Sequence, residues 1–113
     1  MMLTAIKRWI KRLFGAAHGP ERFTLAVCDD LPEAFRARTI YAIGESGTYW
    51  QAAFLCPCGC GSLIQLPLTP DARPRWLLSI ADGNPTLKPS VWRTVGCKSH
   101  FFIRGGHVHW AKD

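Results

Sequence analysis

From residue 22 onward, apolar and polar residues alternate in short runs that are separated by turn-forming residues. The runs are rich in β-branched and aromatic side chains, while the Gly, Pro, Asp and Asn residues between them favour tight turns. We therefore expect a mainly β fold, built as a small antiparallel sheet or an open barrel. Six of the runs predict strands, at residues 23–28, 39–43, 48–55, 63–66, 76–81 and 91–95.

Residues 3–15 instead show the periodicity of an amphipathic helix. Apolar side chains recur every three or four residues on one face, and four basic side chains between Lys7 and Arg12 occupy the other. The segment is too short and too charged for a signal peptide or a membrane span. We expect its apolar face to dock on this domain or on a partner, in preference to a membrane surface. The chain thus divides into an amphipathic basic helix and linker at 1–20 and a β domain at 21–113 that contains all five cysteines.

The last two strands give the most specific local prediction. Gly105-Gly106 is a two-residue loop suited to a primed turn, and it joins predicted strands at 100–104 and 107–111. Strand alternation leaves His100 on the face away from the core, where a metal or a cleft could lie. The same register places four apolar side chains together on the core face: Phe101, Ile103, Val108 and Trp110.

Composition and charge narrow the class of protein. A chain of 113 residues with 48% hydrophobic residues fits one globular domain. The net charge is +6, but +4 of it falls within residues 1–22, so we expect no binding to nucleic acid. The five cysteines are an odd number, and three lie too close together for disulfides. Reduced thiols predict a cytoplasmic protein, with Cys28 an ordinary core thiol.

Five side chains from two segments are candidate metal ligands. Cys56, Cys58 and Cys60 lie in a glycine-rich loop, and Cys97 and His100 follow at C-x-x-H spacing. Zn²⁺ binds four such ligands in a tetrahedron when its role is structural, and three when it is catalytic. We favour the four cysteines, which complete a tetrahedron alone. In the alternative, His100 replaces one of the three crowded cysteines.

Further motifs accompany the cysteines. They are Phe54-Leu55-Cys56-Pro57-Cys58-Gly59-Cys60-Gly61, Trp76, Pro89-Ser90, Cys97-Lys98-Ser99-His100-Phe101 and Gly106-His107-Val108-His109-Trp110. Together, over about residues 40–111, they resemble domain-of-unknown-function family 6527, whose small bacterial members occur beside ubiquitin-like proteins and their E1- and E2-like enzymes. The resemblance implies a metal-binding peptidase that processes a ubiquitin-like protein or removes it from targets, with a part in antiphage defence.

Two hydrolytic mechanisms can be written on these residues. In the first, zinc keeps an open position and activates water, with Glu45 as the general base. In the second, zinc is structural and His100 activates Ser90, which follows Pro89 in a predicted loop, while Glu45 or a nearby Asp orients the imidazole. We favour the serine mechanism because four cysteines already satisfy zinc. Ser99 is the weaker nucleophile, because strand alternation turns it away from His100.

The competing function is a non-catalytic zinc-binding adaptor of a ubiquitin-like modification pathway. Such a module would recruit partners through an exposed β-edge or through the N-terminal helix. In that interpretation Glu45 is a solvated turn carboxylate and Ser90 an ordinary turn residue. Four tryptophans fall on apolar strand positions and are expected in the core, not on a binding surface: Trp50, Trp76, Trp92 and Trp110.

Overall fold

The computed structural model describes residues 22–111, which form eight strands in two four-stranded sheets. The mainly β prediction is confirmed, but as two sheets and not as one sheet or a barrel. The described residues contain no helix, and the helix expected at residues 3–15 lies outside them. The strands are β1 Thr24–Cys28, β2 Thr39–Glu45, β3 Thr48–Leu55, β4 Leu63–Pro67, β5 Leu77–Ala81, β6 Asn84–Trp92, β7 His100–Arg104 and β8 His107–Trp110.

The first sheet has the order β1-β2-β3-β4, and its first pair is parallel. The expectation of a purely antiparallel sheet was wrong here, because residues 29–38 cross over without a helix and bring β2 back beside β1. The crossover covers the face of this sheet that points away from the second sheet. The Phe35 ring packs edge-on against Tyr41 at 5.2 Å, and the Arg36 backbone N–H donates to the Tyr41 hydroxyl at 3.0 Å.

The second sheet is an antiparallel meander in the order β5-β6-β7-β8. Its last hairpin has the predicted register, with Arg104 opposite His107, and both turn glycines have positive φ. Gly106 is required there, because a Cβ at this position would lie 2.8 Å from the backbone oxygen of Phe23. Strand β6 begins at Asn84, well before the predicted start at residue 91.

The two sheets share one hydrophobic core. Phe54 of the first sheet lies edge-on to Phe23 at 5.3 Å and to Phe101 of the second sheet at 6.3 Å. All three rings are fully buried, and each contributes about 2 kcal/mol by leaving water. Cys56 belongs to the same core cluster, so the cysteine-rich loop begins directly at the edge of the core.

The outer face of the second sheet carries half-buried and exposed side chains. Strand alternation gives this face Ser90 and Trp92 from β6 and His100 and Phe102 from β7. The expectation that the tryptophans are core residues was wrong for three of them, since Trp92 is 63% exposed, Trp110 42% and Trp50 41%. Within residues 22–111, no helix is long and apolar enough to cross a membrane.

Candidate active site and metal centre

The four cysteines that the sequence analysis favoured come together at one end of the molecule. The sulfurs of Cys56, Cys58, Cys60 and Cys97 all lie within 4.8 Å of one another, and none forms a disulfide. The Cys56 sulfur is 3.5 Å from that of Cys58 and 3.7 Å from that of Cys97. Four sulfurs bound to Zn²⁺ at about 2.3 Å would be about 3.8 Å apart. The donor set and its spacing therefore fit a metal ion in a closed tetrahedral site, which has no position for His100.

The surroundings of the cluster favour the thiolate at two of its four positions, Cys60 and Cys97. The hydroxyl of Ser99 donates to the Cys97 sulfur at 3.2 Å, and this bond is the main cause that lowers the pKa of Cys97 to about 6. A hydrogen bond from Ser62 likewise lowers the pKa of Cys60. Burial raises the pKa of the Cys56 thiol to about 11, so this residue is the one whose deprotonation most needs a bound cation.

The loop that carries Cys97 also connects two strands of the second sheet. Residues 93–99 join the end of β6 to the start of β7, and the Arg93 N–H donates to the Ser99 carbonyl at 2.8 Å. The Arg93 guanidinium contacts the Cys60 sulfur at 4.0 Å. A metal ion in the cluster would therefore crosslink this loop to residues 56–60 and hold β6 and β7 in position.

An irregularity in β6 brings the candidate nucleophile onto the outer face of the second sheet. Leu87 pairs with Ile103 and Val91 pairs with Phe101, so three residues of β6 stand opposite the single residue Phe102 of β7. Ser90 is the last of these three. The Trp76 indole N–H donates to the Ser90 carbonyl at 3.2 Å and fixes this stretch. Ser90 thus lies in a bulged strand and not in the predicted loop.

Ser90 and His100 are in direct contact. The Ser90 hydroxyl oxygen lies 2.9 Å from the His100 Nε2, a normal hydrogen-bond distance. The imidazole is stacked on the indole of Trp92, with ring centroids 4.7 Å apart and planes at 8°. Phe102 lies at 6.0 Å on the same strand. The sequence analysis missed Trp92, although its position two residues after Ser90 places both side chains on one face.

The structure does not bring Glu45 to this pair. Glu45 ends β2 in the other sheet, is exposed, and pairs with Thr48 across the turn. Among the described residues, no carboxylate forms a hydrogen bond with His100. The Ser99 hydroxyl contacts Cys97 of the four-cysteine cluster and not His100, as strand alternation predicted.

A groove of about 900 Å³ runs along the outer face of the second sheet and ends at Ser90. This volume is at the upper end of the roughly 300–1,000 Å³ typical of ligand sites. Strand β5 forms one side and β7 the other, and Ser90 is a lining residue, whereas His100 and Trp92 are not. The described residues that line it are Arg75, Leu77, Thr86, Leu87, Lys88, Pro89, Ser90, Phe102 and Arg104.

Fold and site together define a small two-sheet protein that holds a Ser–His pair, of the kind serine hydrolases use, beside a four-cysteine cluster. A family model described as bacterial ubiquitination-like system serine protease (BubE) matches residues 27–111. The match covers most of the chain and includes all four cysteines of the cluster. The chain therefore belongs to this family. This match confirms the expectation, drawn from the sequence motifs, that the chain belongs to a peptidase family of a ubiquitin-like system. No curated protein and no solved structure matches the chain.

Proposed function

We propose that this chain is a serine peptidase that cleaves the ubiquitin-like protein of its bacterial system, with Ser90 as nucleophile and His100 as general base. The observation that carries the proposal is the 2.9 Å contact between the Ser90 oxygen and the His100 Nε2 at the end of an open groove. A serine hydroxyl is a weak nucleophile, and an adjacent imidazole is the usual means of activating it.

The reaction proceeds in two halves. The Ser90 oxygen attacks the scissile carbonyl while Nε2 of His100 takes its proton, and the amine then leaves with that proton, which gives an ester on Ser90. Water next attacks the ester, His100 accepts the water's proton, and the proton returns to Ser90 as the acid product leaves. Atoms and charge balance without any other reactant.

The His100 imidazole is held by stacking. Trp92 covers one face of the ring at 4.7 Å, and this contact restricts the orientation of the ring, which is one of the roles of the carboxylate in a triad. The site therefore works as a dyad with an aromatic positioning residue. A role for Glu45 stays a prediction, which Glu45→Gln tests in the same assay.

The metal has a structural role in this proposal. Cys56, Cys58, Cys60 and Cys97 would hold Zn²⁺, whose four thiolate ligands leave no position for water or substrate. When bound, the ion supplies a crosslink between the loop that starts at the core and the loop that joins β6 to β7. It thereby maintains the alignment of Ser90 and His100.

The family description supports a choice of substrate. We infer that the peptidase acts on the ubiquitin-like protein either as a precursor or after its E1- and E2-like enzymes have attached it to targets. In both cases the bond cleaved is an amide at the C-terminal end of that protein. Reduced cysteines at the metal cluster favour a cytoplasmic location.

The test is cleavage of the system's ubiquitin-like protein fused at its C-terminus to a reporter domain. Wild type should release the reporter, and Ser90→Ala should lower the rate by about 10³-fold or more. Ser79→Ala is the matched control, because Ser79 is exposed on the same face in β5. If wild type releases nothing, or if Ser90→Ala cleaves normally, the proposal fails and the non-catalytic zinc adaptor is the better description.

A further inference from the structure

The position of the groove relative to the Ser–His pair defines the direction in which substrate binds. The leaving amine must receive its proton from His100, so the leaving side of the scissile bond lies toward His100 and Trp92. The groove ends at Ser90 and is lined by neither His100 nor Trp92. The acyl side of the bond, which becomes attached to Ser90, therefore extends the other way, into the groove.

We propose that this groove binds the C-terminal tail of the ubiquitin-like protein and selects a tail that carries acidic side chains next to an apolar one. The proposal rests on the proposed function and adds to it the direction of binding and the class of tail. Two observations support the selectivity. The groove is lined by apolar side chains, and it is lined by basic but not by acidic side chains among the described residues.

The apolar part of the groove is formed by Leu77, Pro89 and Phe102. Leu77 is 55% exposed on β5, although its neighbours on the opposite face of the strand are more buried. An apolar substrate side chain can cover the exposed surface of this leucine, and each Å² of apolar surface removed from water contributes about 25 cal/mol to the free energy of binding. Because these residues adjoin Ser90, the apolar side chain belongs close to the scissile bond.

The charged part of the groove is formed by Arg75, Lys88 and Arg104, and none of the described lining residues is acidic. The Arg104 guanidinium lies 4.4 Å above the centre of the Phe102 ring, a cation–π contact that leaves its edge free for a carboxylate. Lys88 is exposed on β6, opposite Leu77 of β5, and Arg104 is exposed on β7. Cations on two neighbouring strands beside apolar side chains match a segment that carries carboxylates next to an apolar residue.

The test measures binding of two fluorescein-labelled hexapeptides that end in a free carboxylate, which are chemically the acyl product. They share one leucine near the C-terminus and differ only in two residues, both Glu or both Gln. By anisotropy with wild type, the Glu peptide should bind about tenfold more tightly at low salt, and this ratio should shrink at 0.5 M NaCl. In the Lys88→Gln, Arg104→Gln double variant the ratio should fall below about two. Arg36→Gln is the control, because Arg36 is an exposed cation on the crossover of the other sheet.

A second readout tests the direction of binding. In a ¹H–¹⁵N spectrum, saturating Glu peptide should shift the backbone amides of Leu77 and Phe102 and leave the indole N–H of Trp92 unshifted. Equal affinity for the two peptides, or shifts centred on Trp92, would overturn the inference. If wild type cleaves the reporter fusion but shows no preference for Glu, only the inference fails. If it binds the Glu peptide as predicted yet cleaves nothing, the proposed chemistry fails.

Discussion

The two sheets have the same number of strands and share one core, yet they differ in what covers their outer faces. In the first sheet the crossover at residues 29–38 lies over the outer face, where the Phe35 ring packs against Tyr41. In the second sheet the outer face carries Ser90, His100 and the groove, and Trp92 on this face is 63% exposed. The groove lies where β6 bulges. In the proposed function the first sheet is therefore a scaffold, and the second carries the Ser–His pair.

The comparison is most sharply tested at the four-cysteine cluster, which we propose anchors the second sheet by binding a metal ion. Replacing Cys97 by Ser should abolish metal binding and lower the free energy of unfolding by more than about 5 kcal/mol, because binding of a structural metal is coupled to folding. Metal content and thermal unfolding measure this. Cys28→Ser is the control, since Cys28 is a half-buried thiol outside the cluster. Metal-free protein that unfolds at the wild-type temperature but no longer cleaves would instead make the metal catalytic.

The next largest effect is expected at His100. His100→Ala should lower kcat by about 10³-fold, or about 4 kcal/mol, because Ser90 loses its base. His109→Ala is the matched control, since His109 is exposed on the same face in β8. The double variant with Ser90→Ala should be no slower than Ser90→Ala alone, because the two residues act as one unit. Additive losses in reporter cleavage would show that they act separately.

A smaller effect is expected where the first sheet is covered. Phe35→Ala should lower the free energy of unfolding by about 2 kcal/mol, since it removes a partly buried ring from Tyr41. Urea unfolding measures this change, and kcat should stay within twofold of wild type. A tenfold loss of kcat in a protein of unchanged stability would contradict the scaffold role of this sheet.

The smallest effect is expected at Trp92. Trp92→Ala should lower kcat by about tenfold, or about 1.4 kcal/mol, with KM within twofold, because the imidazole loses its stacking partner. Trp92→Phe should recover most of the rate. Trp50→Ala serves as the control from the first sheet, where Trp50 is 41% exposed. A rise in KM without a fall in kcat would assign Trp92 to substrate binding and not to positioning.

The local features of the site were predictable because each depends on short-range chemistry. Ligand spacing identified Cys56, Cys58, Cys60 and Cys97, and the Gly105-Gly106 turn defined the register that places His100 away from the core. The four sulfurs do lie together without His100, which leaves its Nε2 for Ser90.

The long-range features were not predictable from the same reasoning. Pro85 and Pro89 favour a loop, yet both lie in strand β6: Pro85 is opposite Ile80 of β5, and Pro89 lies where the pairing with β7 is interrupted, a position at which a strand tolerates proline. Nothing in a ten-residue irregular crossover indicates that β2 returns parallel to β1. The exposure of Trp92 likewise depends on which face the second sheet buries, and one sequence run does not determine that.

Covalent labelling of Ser90 tests the central claim most directly. Wild-type protein treated with an alkyl fluorophosphonate should acquire one adduct per chain, and peptide mass spectrometry should locate it on Ser90. The adduct should be absent from Ser90→Ala and present at the wild-type level in Ser79→Ala. An unlabelled wild type, or a label spread over exposed serines such as Ser79 while Ser90 stays unmodified, would contradict the serine mechanism.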